Sequence, residues 1–197
     1  MVFASGIFLF MFMPVTLVGY WLLRNKSVQV RNVFLLIMSI GFYLESGLKE
    51  LILLLMSVIV NYTMAFLIAK YDKTILKKIF FIISLVYNIG MLFVFKYLIF
   101  VSSQIGQLIP QAKITMSIAL PLGISFYTFQ AMSYVIDVYR DSDMVERNIL
   151  NVALYISFFP QLVAGPIVRW DSIRENLRNP QKGGDELRIN KIYNRFI

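Results

Sequence analysis

Residues 51–69 read LILLLMSVIVNYTMAFLIA and contain no Asp, Glu, Lys or Arg. A helix needs about 20 apolar residues to cross roughly 30 Å of hydrocarbon, so this run is long enough to span a bilayer. Residues 1–23, 114–136 and 148–168 are uncharged in the same way. The sequence is therefore predicted to be that of an integral membrane protein.

The composition agrees with this prediction and excludes several kinds of site. Hydrophobic residues make up 58% of the 197 residues and charged residues 15%, against about 45–50% and about 25% in soluble domains. The chain contains no Cys and no His. Disulfides, thiolate metal sites and a Cys nucleophile are excluded, and no metal site is predicted. A catalytic His would have to lie outside this chain.

Two further segments are predicted to cross the membrane. Residues 79–101 form a clear span, whereas residues 30–48 could be a short tilted span or a re-entrant helix, of which the short span is favoured. The predicted fold is an all-α, polytopic membrane bundle of about five to six transmembrane segments. Residues 1–170 form its membrane domain. Residues 171–197 form an amphipathic helical tail that opens on a Ser172-x-x-Glu175 capping box and is interrupted at its end.

Lysine and arginine in the links between spans predict the orientation. The links at residues 24–31 and 70–78 are rich in basic residues, whereas those at 45–50 and 102–113 carry one Lys each. The positive-inside rule then places the basic links in the cytoplasm and the N-terminus outside. The formal net charge of +8 is thus explained by topology, and nucleic acid is not expected as a partner.

The fifth predicted span carries a polar stripe. Tyr127, Gln130, Tyr134 and Asp137 follow one another at helical steps of 3, 4 and 3, with Ser133 at the edge. Such a stripe faces other helices or an aqueous path, because facing acyl chains would be costly. Two interpretations remain open: interhelical hydrogen bonding, or the lining of a substrate path.

The last apolar run is broken by prolines. Pro160 cannot donate a backbone hydrogen bond, and Pro166 disfavours a helical conformation at Gly165. A break deep in an apolar run is tolerated only where it is buried in protein or lines a cavity. Gln161 lies beside this break, and Arg169 with Trp170 is typical of an anchor at the membrane interface.

The sequence resembles the membrane-bound O-acyltransferase (MBOAT) family, in its bacterial branch that O-acetylates alginate and peptidoglycan. The matching motifs lie at residues 1–5, 8–10, 95–97, 120–129, 133–140 and 159–169. The resemblance implies a helical bundle in the bacterial cytoplasmic (inner) membrane that encloses a tunnel. It implies transfer of an acyl group from a cytoplasmic donor, acetyl-CoA or an acyl carrier, to a hydroxyl on an extracytoplasmic polysaccharide or carrier protein. It also implies an extracytoplasmic acetyltransferase partner, and no cofactor bound in this chain.

Other features of the family are missing here. The catalytic His of the family lies in its second half, and family members are more than twice this length. The resemblance therefore predicts the N-terminal part of such an enzyme, as a fragment, split-gene product or truncated product, inactive on its own and without a catalytic residue. The missing C-terminal half and the lipid bilayer are its expected partners. The alternative is a non-catalytic transporter or scaffold subunit, or a truncated remnant. The predicted tunnel-lining residues are Ser125, Tyr127, Gln130, Tyr134, Gln161 and Arg169.

Overall fold

The computed structural model describes residues 6–97, 121–164 and 168–178. Every regular element in these ranges is helical, which confirms the predicted all-α class. Short turns of other helix types also occur: π-helical turns at Phe8–Phe12 and Phe93–Tyr97, and 3₁₀ turns at Leu23–Asn25 and Ser142–Met144. The α-helices are α1 (Met13–Leu22), α2 (Val28–Ser46), α3 (Leu48–Lys70), α4 (Ile75–Leu92), α5 (Ile124–Arg140), α6 (Ile149–Ser157), α7 (Phe159–Ala164) and α8 (Trp170–Arg178).

Four helical stretches are long and apolar enough to cross a membrane: Phe8–Asn25, Val28–Ser46, Leu48–Lys70 and Ile75–Tyr97. They confirm the predicted membrane bundle. Helix α2 covers most of residues 30–48 as an unbroken helix of 19 residues, so the structure favours the short span over the re-entrant alternative for this segment. The part of the predicted fifth span at residues 114–120 and the tail at residues 179–197 lie outside the described residues.

Helix α3 lies at the centre of the bundle and packs against α2, α4, α5 and α6. Its buried face includes Leu54, Val58 and Ile68. Helices α1 and α4 lie outside it and leave large apolar side chains such as Val18 and Val86 exposed. An apolar exposed surface is what a protein presents to lipid, where burial of polar backbone within helices is the dominant constraint.

A pair of asparagines joins α3 to α4. The Asn88 side-chain amide donates to Asn61 Oδ1 at 2.7 Å, and the Asn61 amide donates back to Asn88 Oδ1 at 3.2 Å. Ser84 Oγ also donates to Asn61 Oδ1. All three side chains are fully buried, and polar pairs of this kind hold membrane helices together.

Two glycines allow turns that other residues would strain. Gly47 alone separates α2 from α3, with φ at +139°. Gly123 precedes α5 in the left-handed region, with φ at +68°. Both conformations are disfavoured for residues with a Cβ atom, so these glycines fix where α3 and α5 begin.

The helices run between two ends of the bundle. At one end, called the basic end, Asp72 of the α3–α4 turn contacts Ser142, the Lys77 ammonium lies over the Tyr139 ring, and Asn32 donates to the backbone oxygen of Leu177. At the opposite end, the Leu122 amide donates to Glu50. Basic residues of the basic end are Arg24, Lys26, Arg31, Lys70, Lys73, Lys77, Lys78, Arg140, Arg147, Arg169, Arg174 and Arg178, whereas Lys49 and Lys96 belong to the opposite end.

Residues 148–168, the sixth apolar run, do not form one continuous helix in the part that the structure describes. Helix α6 begins at the basic end, where Asn151 accepts from Asn32. The chain bends at Phe158, between α6 and α7. It is back at the basic end at Trp170, whose indole N–H donates to the Met144 oxygen at 2.9 Å. Helices of 9 and 6 residues are too short to cross. Helices α6 and α7 are together called the re-entrant segment.

The start of α8 differs from the predicted capping box. The helix begins at Trp170, so Ser172 lies inside it and does not cap it. The Ser172 hydroxyl donates instead to the backbone oxygen of Arg169 at 2.8 Å. The indole of Trp170 is fully buried, and its packing energy outweighs the local preference of Ser for the capping position.

Candidate substrate path along α5 and the re-entrant segment

The polar stripe on α5 faces protein along its length. Tyr127, Gln130 and Tyr134 are all at most 1% exposed. From the opposite end to the basic end, the stripe lies successively near Glu50 of α3 and Tyr87 of α4, against α7 and against α8. Its placement is compatible with both interpretations of the stripe, interhelical hydrogen bonding and path lining.

Gln130 and Gln161 meet in the middle of the bundle. The Gln130 side-chain amide donates to Gln161 Oε1 at 2.6 Å and ties α5 to α7, just after the bend of the re-entrant segment. The other polar atom of this side chain, Gln130 Oε1, is buried without a hydrogen-bond partner in the described part of the chain. Two of the predicted residues, from separate motifs, are thus brought together.

Two neighbouring hydroxyls of α5 are also unpaired. Tyr127 Oη and Thr128 Oγ1 are buried, and neither has a hydrogen-bond partner within residues 6–97, 121–164 and 168–178. Leaving a buried polar group unsatisfied costs about 1–3 kcal/mol, so each such group calls for an explanation such as a water or another binding group. With Gln130 Oε1 they place three unsatisfied polar atoms within one turn or so of α5.

Tyr134 lies in an aromatic cluster near the basic end. Its ring packs edge-on against Trp170 at a centroid distance of 5.0 Å, and Tyr155 packs against the same indole at 5.1 Å. The Tyr134 hydroxyl accepts from the backbone N–H of Glu146 at 3.2 Å, and the Tyr155 hydroxyl donates to the Val168 oxygen at 2.7 Å. These contacts close the base of the re-entrant segment.

Ser125 and Arg169 lie far from the glutamine pair. Ser125 Oγ accepts from Lys96 Nζ at 3.4 Å at the opposite end of the bundle. Arg169 is exposed at the basic end. The six predicted residues are therefore distributed along the whole length of α5 and the re-entrant segment, and Gln130 and Gln161 are the pair in direct contact.

The bend of the re-entrant segment is held by aromatic rings. Phe159 packs against Phe8, Phe12 and Phe42 with centroid distances of 6.0, 5.2 and 5.8 Å. The Phe159 amide N–H also donates to Ser39 Oγ at 3.4 Å. Pro160 follows at once, so the bend combines a residue without an N–H donor with a firmly packed ring.

Two adjoining clefts separate the re-entrant segment from α1 and α2. One has a volume of about 300 Å³ and reaches Pro160; the other has a volume of about 200 Å³ and includes Gln161. Both clefts are lined by Tyr20, Leu35 and Phe158. Together they extend from the bend to Leu177 of α8 at the basic end. Sequence reasoning missed Tyr20 and Tyr155 as lining residues, although a tyrosine within an apolar run is a usable signal.

The described residues supply amides, hydroxyls and aromatic rings to this path. No group of three or more Asp and Glu side chains within them is placed to hold a metal ion. Acyl transfer to a hydroxyl needs a base of suitable pKa and donors for the oxyanion. Amides and hydroxyls can supply hydrogen bonds to a ligand, and the rings can pack against it.

Proteins similar to this chain are membrane O-acetyltransferases. A "Probable alginate O-acetylase AlgI" of Pseudomonas aeruginosa is 35% identical over 178 residues, which is 88% of this chain and 34% of that protein. A "Peptidoglycan O-acetyltransferase" of Helicobacter pylori is 30% identical over 194 residues, or 85% of this chain and 37% of that protein. The AlgI of Azotobacter vinelandii is 34% identical over 86% of this chain and 34% of that protein.

The chain thus spans about a third of the length of the curated relatives that it matches. No family model and no solved structure matches it. The similarity covers 85–88% of this chain. It confirms the resemblance inferred from the sequence: this chain is similar to an alginate O-acetylase and to a peptidoglycan O-acetyltransferase.

Proposed function

We propose that this chain is the N-terminal part of a membrane O-acetyltransferase, which passes an acetyl group from a cytoplasmic donor to a hydroxyl of an extracytoplasmic polysaccharide. The observation that carries the proposal is the contact between Gln130 and Gln161, which fixes the re-entrant segment to α5 in the middle of the bundle. The similarity to O-acetyltransferases supports the chemistry.

The part that this chain plays follows from the groups it contains. It has no His, and the described path offers Gln, Tyr and Thr side chains whose polar atoms are partly unsatisfied. Such groups donate and accept hydrogen bonds, but they are poor bases near neutral pH. In this proposal the chain lines the path and orients the acyl group. The base lies in the remaining length that the relatives have, and the chain alone is inactive.

The direction of transfer follows from the two ends. The basic end faces the cytoplasm in the proposed topology, and the clefts beside the re-entrant segment lead from this end to the bend at Pro160. A donor such as acetyl-CoA or an acyl carrier would load from the basic end. An extracytoplasmic acetyltransferase would receive the acetyl group at the opposite end and place it on the polysaccharide.

A chimera tests this proposal. In Pseudomonas aeruginosa lacking its own AlgI, this chain would replace the aligned third of that protein, and the O-acetyl content of secreted alginate would be measured. We expect acetylation to be restored, and to fall at least tenfold when Gln161→Ala or Gln130→Ala is introduced, with unchanged protein level in the membrane. Gln29→Ala is the matched control, because Gln29 is an exposed glutamine on α2.

Two results would contradict the proposal in different ways. Normal acetylation in both glutamine variants would show that the pair serves packing alone. A chimera that inserts at the normal level but leaves alginate unacetylated would favour the alternative, a non-catalytic membrane subunit.

A further inference from the structure

A second cavity lies at the basic end, away from the glutamine pair. It has a volume of about 700 Å³ and is bounded by the end of α3, the 141–148 connection and α8. Its lining residues are Phe66, Ala69, Lys70, Ser142, Asp143, Val145, Glu146, Arg147, Arg174 and Arg178. None of the six residues predicted for the substrate path belongs to this lining.

The cavity has an excess of positive charge. Four cations line it against two carboxylates. Arg178 Nε donates to Glu146 Oε2 at 2.9 Å, and Glu146 is 4% exposed, so these two charges are largely neutralised by each other. The remaining charged residues of the lining are three cations, Lys70, Arg147 and Arg174, and one carboxylate, Asp143. A low-dielectric wall strengthens the field of such a cluster and favours an anionic ligand.

The hydrogen-bond partners of Arg174 also favour an anionic ligand. Its Nη1 lies 3.0 Å from the Met144 sulfur, a weak acceptor. Its Nε is buried without a hydrogen-bond partner among the described residues. A guanidinium is well suited to phosphate, because its planar N–H donors match the geometry of two phosphate oxygens. Arg174 therefore lines the cavity with a guanidinium whose Nη1 has a weak acceptor as its neighbour.

We propose that this cavity binds the phosphate group of an acidic phospholipid. Lys70 is the last residue of a membrane-length helix, so the cations lie at the level of lipid head groups. Phe66, one turn further into α3, and Ala69, directly before Lys70, give the cavity an apolar side next to the charged one. Phe66 is 46% exposed, so this side continues onto the outer surface of the bundle. A head group with its acyl chain fits this combination, and basic pockets between membrane helices bind such lipids.

Thermal unfolding of the purified full chain in detergent, followed by tryptophan fluorescence, tests the proposal, because a ligand that binds the folded state raises Tm. We expect phosphatidylglycerol to raise Tm and phosphatidylcholine at equal concentration to have little effect. The double variant Lys70→Gln/Arg147→Gln, which changes two exposed side chains, should need about 25-fold more phosphatidylglycerol for the same shift, about fivefold for each charge.

The matched control is Lys73→Gln/Lys78→Gln, which removes two exposed lysines from the same end outside the cavity. It should respond to phosphatidylglycerol as the unmodified chain does. Arg174→Gln should also weaken the response, and its circular dichroism spectrum shows whether it is folded.

Three outcomes would overturn the proposal. Equal losses in the two double variants would mean unspecific attraction to surface charge. An equal effect of phosphatidylcholine would remove the role of the anionic head group. An equal Tm shift with inorganic phosphate alone would assign the cavity to a soluble phosphate and not to a lipid. This proposal does not depend on the acetyltransferase proposal, because the chimera assay and the lipid assay involve separate residues.

Discussion

Gln130 on α5 and Gln161 on α7 are joined by one hydrogen bond of 2.6 Å across the middle of the bundle. Gln130 is 1% exposed, so its amide cannot turn to bulk water when this partner is lost. Gln161→Ala is expected to destabilise the protein by about 1–3 kcal/mol, the cost of an unsatisfied buried donor. The double variant Gln130→Leu/Gln161→Leu should be less destabilised than the sum of its single variants.

Reversible unfolding in mixed micelles measures this double-mutant cycle. The expected coupling is about 0.6 kcal/mol and at most about 1.7 kcal/mol, as for other hydrogen bonds between membrane helices. Strict additivity of the two single variants would show that the bond contributes nothing to the folded state.

The asparagine pair between α3 and α4 makes a parallel case. Asn61→Leu removes one of the two acceptors of the fully buried Asn88 amide and the donor to Asn88 Oδ1, while the amide keeps its bond to the Ser84 oxygen. We expect a loss of about 1–3 kcal/mol. Asn61→Leu/Asn88→Leu removes both groups and should recover part of that loss. Asn25→Leu, at an exposed position on the turn after α1, is the control for replacing an asparagine. An Asn61→Leu protein as stable as the control would contradict this role.

The left-handed backbone at Gly123 gives a prediction with a matched glycine control. Gly123→Ala places a Cβ atom at φ +68°, and the expected cost is about 1–2 kcal/mol. Gly41→Ala lies within α2, and a Cβ atom there would have no neighbour within 4 Å. It should be neutral or stabilising, because alanine is the better helix former. Thermal unfolding of the two variants compares them, and equal shifts in Tm would refute the conformational argument.

Asp72, at the basic end, is expected to make the stability of the fold depend on pH. Its carboxylate accepts from Lys77 Nζ at 2.5 Å and also from Ser142. These hydrogen bonds, that with Lys77 foremost, lower the pKa of Asp72 below its usual value. A carboxylate with a lowered pKa stabilises the fold above the pKa of the unfolded chain, and this contribution is lost as the pH falls through the folded-state pKa.

The unmodified chain should therefore have a slightly higher Tm than Asp72→Asn at pH 7, and the difference should shrink below about pH 4. Asp141→Asn, at an exposed position nearby, is a control without those two contacts. A difference that grew on acidification would have the wrong sign for this explanation.

The absence of Cys makes the path of the chain directly testable. Single cysteines introduced by Lys73→Cys, Asp141→Cys and Arg169→Cys should react with a membrane-impermeant maleimide from the same side. Lys49→Cys should react from the other side. In the proposed topology the first three are cytoplasmic. Reaction of Arg169→Cys from the side of Lys49→Cys would show that residues 148–168 cross the membrane after all.

Much of this fold could be predicted from apolar length and charge, because lipid imposes a helix on every spanning segment. The runs that became α1, α3 and α4 were recognisable in this way. The path of residues 148–168 was not, since hydropathy is the same for a span and for a hairpin of two short helices. The basic residues Arg169, Arg174 and Arg178 after this run were the sequence feature that indicated on which side of the membrane the run ends.

The candidate site was partly predictable for a related reason. A Gln in an apolar run must find a partner, so Gln130 and Gln161 could be selected one by one. Their contact depends on the bend at Phe158 and on the rings around Phe159, which are tertiary features. That Tyr127 and Thr128 find no hydrogen-bond partner among the described residues, and that a cavity forms around Arg174, also follow from packing that no local pattern encodes.

A helical hairpin that returns to the leaflet from which it started does not change the side of the membrane on which the following residues lie. Counting apolar runs would assign the turn 71–74 and α8 to different compartments, yet the indole of Trp170 donates to Met144, close to the Ser142 that contacts Asp72. The α3–α4 turn and α8 are therefore exposed to the same compartment. A soluble molecule that docks on one of them meets the other in the same encounter.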